Sequence, residues 1–138
     1  MIILDTNVIS ALMQDPPEPK VITWLDQQVR SSIWTSAVTV FEIQTGLQTM
    51  PVGRRQTRLS ELFERILNSL DHRIASLDEE AARQAANLTA SRQRQGRTVE
   101  FRDTMIAGIV SVRRAILATR NTTHFADLST AVINPWLT

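Results

Sequence analysis

Cysteine is absent from this 138-residue chain, which excludes both a disulfide framework and a thiolate metal site. Lysine is almost absent too: of fifteen basic residues only Lys20 is a lysine, and the rest are arginines. No apolar segment reaches the length of a membrane span, and the N-terminus lacks the basic region and cleavage site of a signal peptide. The expectation is a cytoplasmic protein with no membrane association. Tight hairpin signals are missing as well, which argues against an antiparallel sheet. What remains is 43% hydrophobic and 21% charged, ordinary for a soluble globular protein, and long enough for one sizeable core. We expect a single domain over residues 1–138, without linker or repeat.

The apolar run Ile2-Ile3-Leu4 has no polar alternation, the pattern of a strand buried on both faces of a parallel sheet. Asp5 follows it directly, and Val8, Ile9 and Leu12 then recur at helical spacing. The carboxylate therefore stands where a strand hands over to a helix, the place where open parallel sheets bind ligands. A buried acid there needs a cationic or hydrogen-bonding partner. The alternative is that Asp5 simply caps the next helix.

Further along, Asp15-Pro16-Pro17-Glu18-Pro19 predicts a loop, followed by a helix with Val21, Ile22, Leu25 and Val29 on one face. Ile33-Trp34-Thr35 predicts a short strand and residues 37 to about 50 a helix, broken by Pro51-Val52-Gly53. Leu59, Leu62, Phe63, Ile66, Leu67 and Leu70 then make the cleanest amphipathic stripe, suited to the core, to a projecting helical hairpin or to a dimer interface. A strand at residues 74–77, an alanine-rich helix from Asp78 to Gln95-Gly96, a helix over about 102–114, and strands at 116–118 and 131–133 complete the chain. Alternating strands and helices predict an α/β fold, a three-layer α/β/α domain with a mainly parallel sheet.

Two helix-borne acids join Asp5. Glu42 interrupts a helix expected to bury Val40, Ile43, Leu47 and Met50, and shares another stripe with Val38, Thr45 and Gly46. Glycine inside a helix costs about 1 kcal/mol relative to alanine, which predicts a close approach to the backbone there. Asp103 opens a helix and shares the face of Ile106, Ala107 and Val110, so a stripe directed at the core ends in a carboxylate. Solvent exposure for Glu42 and N-capping for Asp103 are the plainer alternatives. Thr119-Arg120-Asn121 follows the strand Ile116 to Ala118, repeating the geometry inferred at Asp5.

Three carboxylates and a carboxamide, without cysteine or suitably spaced histidine, form an oxygen-rich set suited to magnesium or manganese. The matching chemistry is phosphoryl transfer. Receiver domains and dehalogenase-type phosphatases also place an aspartate at a strand end, but both need a lysine beside it, and Lys20 lies in the proline-rich loop. With the three acids set aside, the rest of the chain is mildly basic, and Arg54, Arg55 and Arg58 form one cluster while Arg92, Arg94, Arg97 and Arg102 form another. That balance suits nucleic acid, or an arginine-biased surface. His72 and His124 are assigned to the surface.

The segments LDTNVISAL (4–12), FEIQTGL (41–47), RDTMIAG (102–108), LATRN (117–121) and INPW (133–136), taken in order, resemble the PIN-domain ribonucleases. The similarity is greatest to VapC-type toxins of bacterial toxin–antitoxin pairs, particularly the FitB-like subgroup. That resemblance implies that Asp5, Glu42 and Asp103 hold a catalytic Mg²⁺ or Mn²⁺ and that the protein is a metal-dependent endoribonuclease. Thr6 and Asn7 would shape the site, and Thr119 would lie close to it. Asn121 falls where many relatives carry a fourth acid, which favours hydrolysis with one ion. It also implies an RNA substrate, a homodimer, and an antitoxin partner through which alone DNA would be bound. The rival readings are a housekeeping PIN nuclease in RNA processing and an inactive PIN-fold module that binds RNA or protein.

Overall fold

A computed structural model describes residues 1–138. Its elements are β1 (Ile2–Leu4), α1 (Thr6–Leu12), α2 (Pro19–Asp26), β2 (Ile33–Ser36), α3 (Ala37–Thr49), α4 (Arg54–Ser69), β3 (Ile74–Ala75), α5 (Glu79–Arg94), α6 (Phe101–Arg113), β4 (Ile116–Ala118) and β5 (Val132–Ile133). Short 3-10 turns at Arg30–Ser32 and Thr122–Phe125 were not anticipated from sequence.

The five strands are all parallel, in the order β3-β2-β1-β4-β5. β1 is therefore central, and its all-apolar sequence follows from burial on both faces. Ile2 and Leu4 point into a core layer completed by Val8, Val21, Trp24, Leu47, Phe63 and Leu67. Ile3 points the other way, into a layer with Ala81, Ile106, Val110, Leu117 and Phe125. Helices α1, α2 and α4 thus cover one face and α5 and α6 the other, giving three layers. From β1 the chain runs outward through β2 and β3, then returns to place β4 and β5 on the opposite side. The β1/β4 boundary is the topological switch point, where the ends of neighbouring strands diverge into a crevice.

Several helical details differ from expectation. α2 ends at Asp26, so Val29 lies outside it and is 71% exposed, while Trp24 is buried beside Val21. The buried pair Val21 and Trp24 replaces the stripe that included Ile22 and Val29, because only two turns of helix form before Val29. On α3 it is Val38 and Leu47 that are fully buried, while Val40, Ile43 and Met50 are half-buried. Gly46 is exposed, and a side chain built there would meet nothing in the protein. Its expected close approach is therefore not made within the chain. The α4 stripe is used in the core through Phe63, Leu67 and Leu70.

Another glycine does mark a close approach. A Cβ at Gly108 of α6 would stand 2.5 Å from the Ala81 carbonyl oxygen and 2.9 Å from the Ala85 Cβ. The small residues Ala81, Ala85 and Gly108 let α5 and α6 pack backbone to backbone. Gly108→Ala should therefore destabilise the fold by about 1–3 kcal/mol despite alanine's better helix propensity, through overpacking. Urea unfolding measures this directly; an unchanged midpoint would mean that α5 can move aside freely.

Candidate functional site

Asp5 is the first residue after β1, and its N–H donates to the Ala118 carbonyl at 2.9 Å, extending the ladder to β4. Its carboxylate is turned into the switch-point crevice and is only 5% exposed. Oδ1 accepts from the Thr6 N–H at 2.8 Å, so Asp5 does cap α1. Oδ2 accepts from the Thr119 hydroxyl at 2.8 Å and lies 3.4 Å from Asn7 Nδ2. The capping role and the cleft position anticipated as alternatives coexist in one side chain.

Thr119, fully buried at the end of β4, is a hub. Its Oγ1 donates to Asp5 and accepts from Asn7 Nδ2 at 3.1 Å and from the Asn121 N–H at 3.1 Å. Asn7 Oδ1 in turn accepts from the Arg120 N–H at 3.1 Å. Thr6 reaches the other way: its hydroxyl donates to Glu42 Oε1 at 3.0 Å and lies 3.0 Å from Thr39 Oγ1. The buried Thr39 had no sequence signal as a site residue. Its N–H donates to Ser36 Oγ, which caps α3 and fixes the turn of helix that presents Glu42.

One cavity of about 450 Å³ brings these groups together, with Asp5, Thr6, Asn7, Glu42, Asp103 and Asn121 among its lining. The six reach it from four approaches: the end of β1 and start of α1, the middle of α3, the first turn of α6, and the loop after β4. Thr119 lies just beneath it. Glu42 and Asp103 are about a quarter exposed, at 22% and 27% of their side chains. Asp103 contacts His124, with Nδ1 3.3 Å from Oδ2, so this histidine, although 57% exposed, is nearer the acids than its surface assignment anticipated. Its position follows from the 3-10 turn at Thr122–Phe125, anchored by the buried Phe125. His72 is exposed and pairs with Asn68.

The arginine clusters divide differently from their sequence order. Arg92 is 4% exposed and makes a bidentate pair with Asp127 at 2.7 and 2.9 Å, joined by Arg97 at 3.2 Å. These two clamp the loop after the 3-10 turn to α5 and are structural. Arg102 pairs with Glu100 at 3.1 Å and lies 3.9 Å from Glu42, at the rim. Arg55 and Arg58 line an adjoining larger cavity that shares Thr6, Ser10, Gln14 and Glu42 with the first.

Burial pushes the Asp5 carboxyl up to about 6, opposed by its hydrogen bonds from Thr119 and Thr6 and reinforced by the charges of Asp103 and Glu42. A cation would relieve that cost. The donors are oxygen only, the set that hard divalent ions prefer. In this conformation each carboxylate is held by a neighbour, and no three acidic or histidine side chains form a ready-made chelate.

The profile of the PIN domain family matches residues 2–130. The chain is 36% identical over 137 residues to VapC ribonuclease Y4jK of Sinorhizobium fredii, covering 99% of this chain and 98% of that protein. It is 34% identical over 137 residues to toxin FitB of Neisseria gonorrhoeae, covering 99% of each. The crystal structure of FitAcB from Neisseria gonorrhoeae superposes with a TM-score of 0.87 over 99% of both chains, at 34% identity.

Because Asp5 binds its proton more tightly folded than unfolded, metal-free stability should fall as pH rises from about 4 to about 6, then level off. Asp5→Asn keeps a capping side chain and removes the buried charge, so it should flatten this dependence and add about 1–3 kcal/mol at pH 7. Urea unfolding in chelator at pH 5 and pH 7.5 measures both. A mutant no more stable than wild type at the higher pH would show that the hydrogen bonds already compensate the buried charge.

Proposed function

This chain belongs to the PIN domain family, and from that membership we propose that it is the toxin of a toxin–antitoxin pair, a metal-dependent endoribonuclease. The observation that carries the proposal is the convergence of Asp5, Glu42 and Asp103, from three separate elements, on one cavity at the strand ends. The full-length similarity to a VapC ribonuclease and to toxin FitB supports the reaction class.

In this reading Asp5, Glu42 and Asp103 hold the ion, magnesium or manganese. A bound divalent ion would supply Lewis-acid chemistry, polarising a phosphate and lowering the pKa of water. The remaining work falls to the chain itself. Thr119 and the Thr6 N–H hold the Asp5 carboxylate in one orientation. Thr6 steadies Glu42, and Asn7 ties the loop after β4 to the start of α1. Asn121 offers a neutral oxygen donor at the cavity wall, so the proposed ligand set has three acids, Glu18 lying elsewhere on the lining, and is assigned a single ion. Arg102, Arg55 and Arg58 at the rims attract the RNA backbone. The assembly is a homodimer with its antitoxin, acting in the cytoplasm, and DNA is contacted only through the antitoxin.

Cleavage of cellular RNA should require Mg²⁺ or Mn²⁺ and stop in chelator. Asp103→Asn, which removes charge with little change of shape, should reduce the rate at least about a hundredfold, on the scale of a lost electrostatic contact in a reacting site. Circular dichroism controls for folding, and undiminished cleavage in chelator would refute the metal mechanism. Binding of the ion should also raise the melting temperature more at pH 7.5 than at pH 5, because the Asp5 proton competes with it.

The negative cavity also predicts how the toxin is silenced. An antitoxin arginine, whose fork matches a carboxylate with two hydrogen bonds, should enter it, while apolar anchors elsewhere supply most of the affinity. A small antitoxin encoded beside this chain is expected, and its co-expression should restore growth. Replacing that arginine by alanine should release nuclease activity from an intact complex; a bound neighbour that never affects cleavage would count against the toxin assignment.

A further inference from the structure

Arg120 leaves the end of β4 between Thr119 and Asn121, with its backbone pinned to Asn7 Oδ1. Its guanidinium carbon lies 5.0 Å from the centroid of the Trp136 ring. Unlike Arg92, Arg97 and Arg102, it meets no carboxylate, and its side chain donates no hydrogen bond to the protein. This is notable because Arg120 lines the same cavity as Asp5, Glu18, Glu42 and Asp103. The cation is placed among acids and held back from all of them.

Trp136 is what holds it. β5 ends at Ile133, Asn134 Oδ1 accepts the Trp136 N–H at 2.9 Å, and Pro135 is buried. The indole packs against the core layer that includes Val8 and Trp24 and also lines the cavity. The INPW segment is therefore a device for bringing one aromatic ring back to the strand ends. A ring beneath a guanidinium orients it and limits its rotamers while leaving the charge and the N–H donors free.

We propose that Arg120, laid on Trp136, is the residue that grips an RNA phosphate adjacent to the scissile one and so sets which bond lies over Asp5. The proposal rests on the nuclease reading above. A planar guanidinium can give two parallel hydrogen bonds to the non-bridging oxygens of one phosphate. A polyanion entering a cavity lined by four carboxylates is repelled, and a fixed, uncommitted cation at its wall offsets that repulsion where the strand must lie. Order imposed beforehand by Trp136 lowers the entropy lost on binding. Arg120 is thus a binding and positioning residue, and Trp136 acts through it.

The test uses a short single-stranded RNA labelled with a fluorophore and quencher for cleavage, and with fluorescein for anisotropy, both in magnesium. Arg120→Ala should raise KM by about 10–100-fold, the scale of a charge-assisted hydrogen bond, with kcat within about twofold. It should also make the log–log salt dependence of RNA binding shallower by about one, which a merely structural residue would not do. Arg120→Lys should recover the salt slope but only part of KM. Trp136→Phe should stay near wild type, and Trp136→Leu should raise KM without altering the salt slope. Thermal melts identify any variant that fails to fold, and the Arg120 pair stands without the Trp136 variants. Cleavage with unchanged KM and salt slope in Arg120→Ala overturns the proposal, as does an effect confined to kcat. Unchanged RNA kinetics with lost antitoxin affinity reassigns Arg120 to the protein interface and also overturns it. Arg120-dependent RNA binding without any cleavage would refute the nuclease reading while leaving the phosphate grip standing; no RNA binding at all overturns both.

Discussion

The 2.8 Å hydrogen bond from the Thr119 hydroxyl to the Asp5 carboxylate joins the ends of β1 and β4, the two strands between which the sheet divides. Both partners are buried. Left without the hydroxyl, Oδ2 would keep only the 3.4 Å contact from Asn7, and its desolvation would be poorly compensated. Around this bond the rest of the cleft is assembled: Asn7 and the Asn121 N–H both reach Thr119 Oγ1, and Arg120 is tied back to Asn7. One buried contact thus sets the spacing of the start of α1 and the loop after β4.

That contact depends on the sheet. β1 carries Ile2 and Leu4 to one core layer and Ile3 to the other, so it cannot slip by one residue without inverting both layers. Its register with β4, Leu4 against Ala118, places Asp5 and Thr119 side by side as the next residues of each strand. Backbone pairing fixes the position of the acid, and the hydrogen bond it accepts from the Thr6 N–H fixes its rotation. Glu42 and Asp103 are supported differently. Each stands on a helix, is partly exposed, and leans on a polar neighbour, Thr6 or His124.

Sequence patterning revealed the fold because the relevant signals are strong and local. Three consecutive apolar residues before Asp5 mark a buried strand, and the Leu59-to-Leu70 stripe marks a helix whatever its apolar face packs against. Long-range pairing is what it did not reveal. Arg92 read as part of a basic surface because its neighbours Arg94 and Arg97 are basic, yet Asp127, 35 residues away, makes it a buried clamp. Val29 fitted the helical stripe of α2, but the helix stops short of it. Gly46 and Gly108 both lie inside helices, but only Gly108 meets a partner, Ala81 and Ala85 on the helix before it, and no local spacing distinguishes the two. In the cleft, Asp5 was legible from the strand that precedes it. The partners of His124 and Arg120 were not, because each is placed by a turn or a terminal segment whose anchor, Phe125 or Pro135, has no periodic signature.

The unequal burial of the three acids bears on how such a cleft can work. If all three were as enclosed as Asp5, the metal-free fold would carry three desolvated, mutually repelling charges, each opposing folding by the same mechanism that lifts Asp5. With Glu42 and Asp103 left near water, repulsion is moderated by solvent and by side-chain movement, and only one acid is held rigidly. Under the proposed function Asp5 would be the fixed ligand of the ion, and Glu42 and Asp103, each partly exposed, the two that adjust to it. Burying one carboxylate and leaving two near water thus limits the folding cost of a strongly negative site.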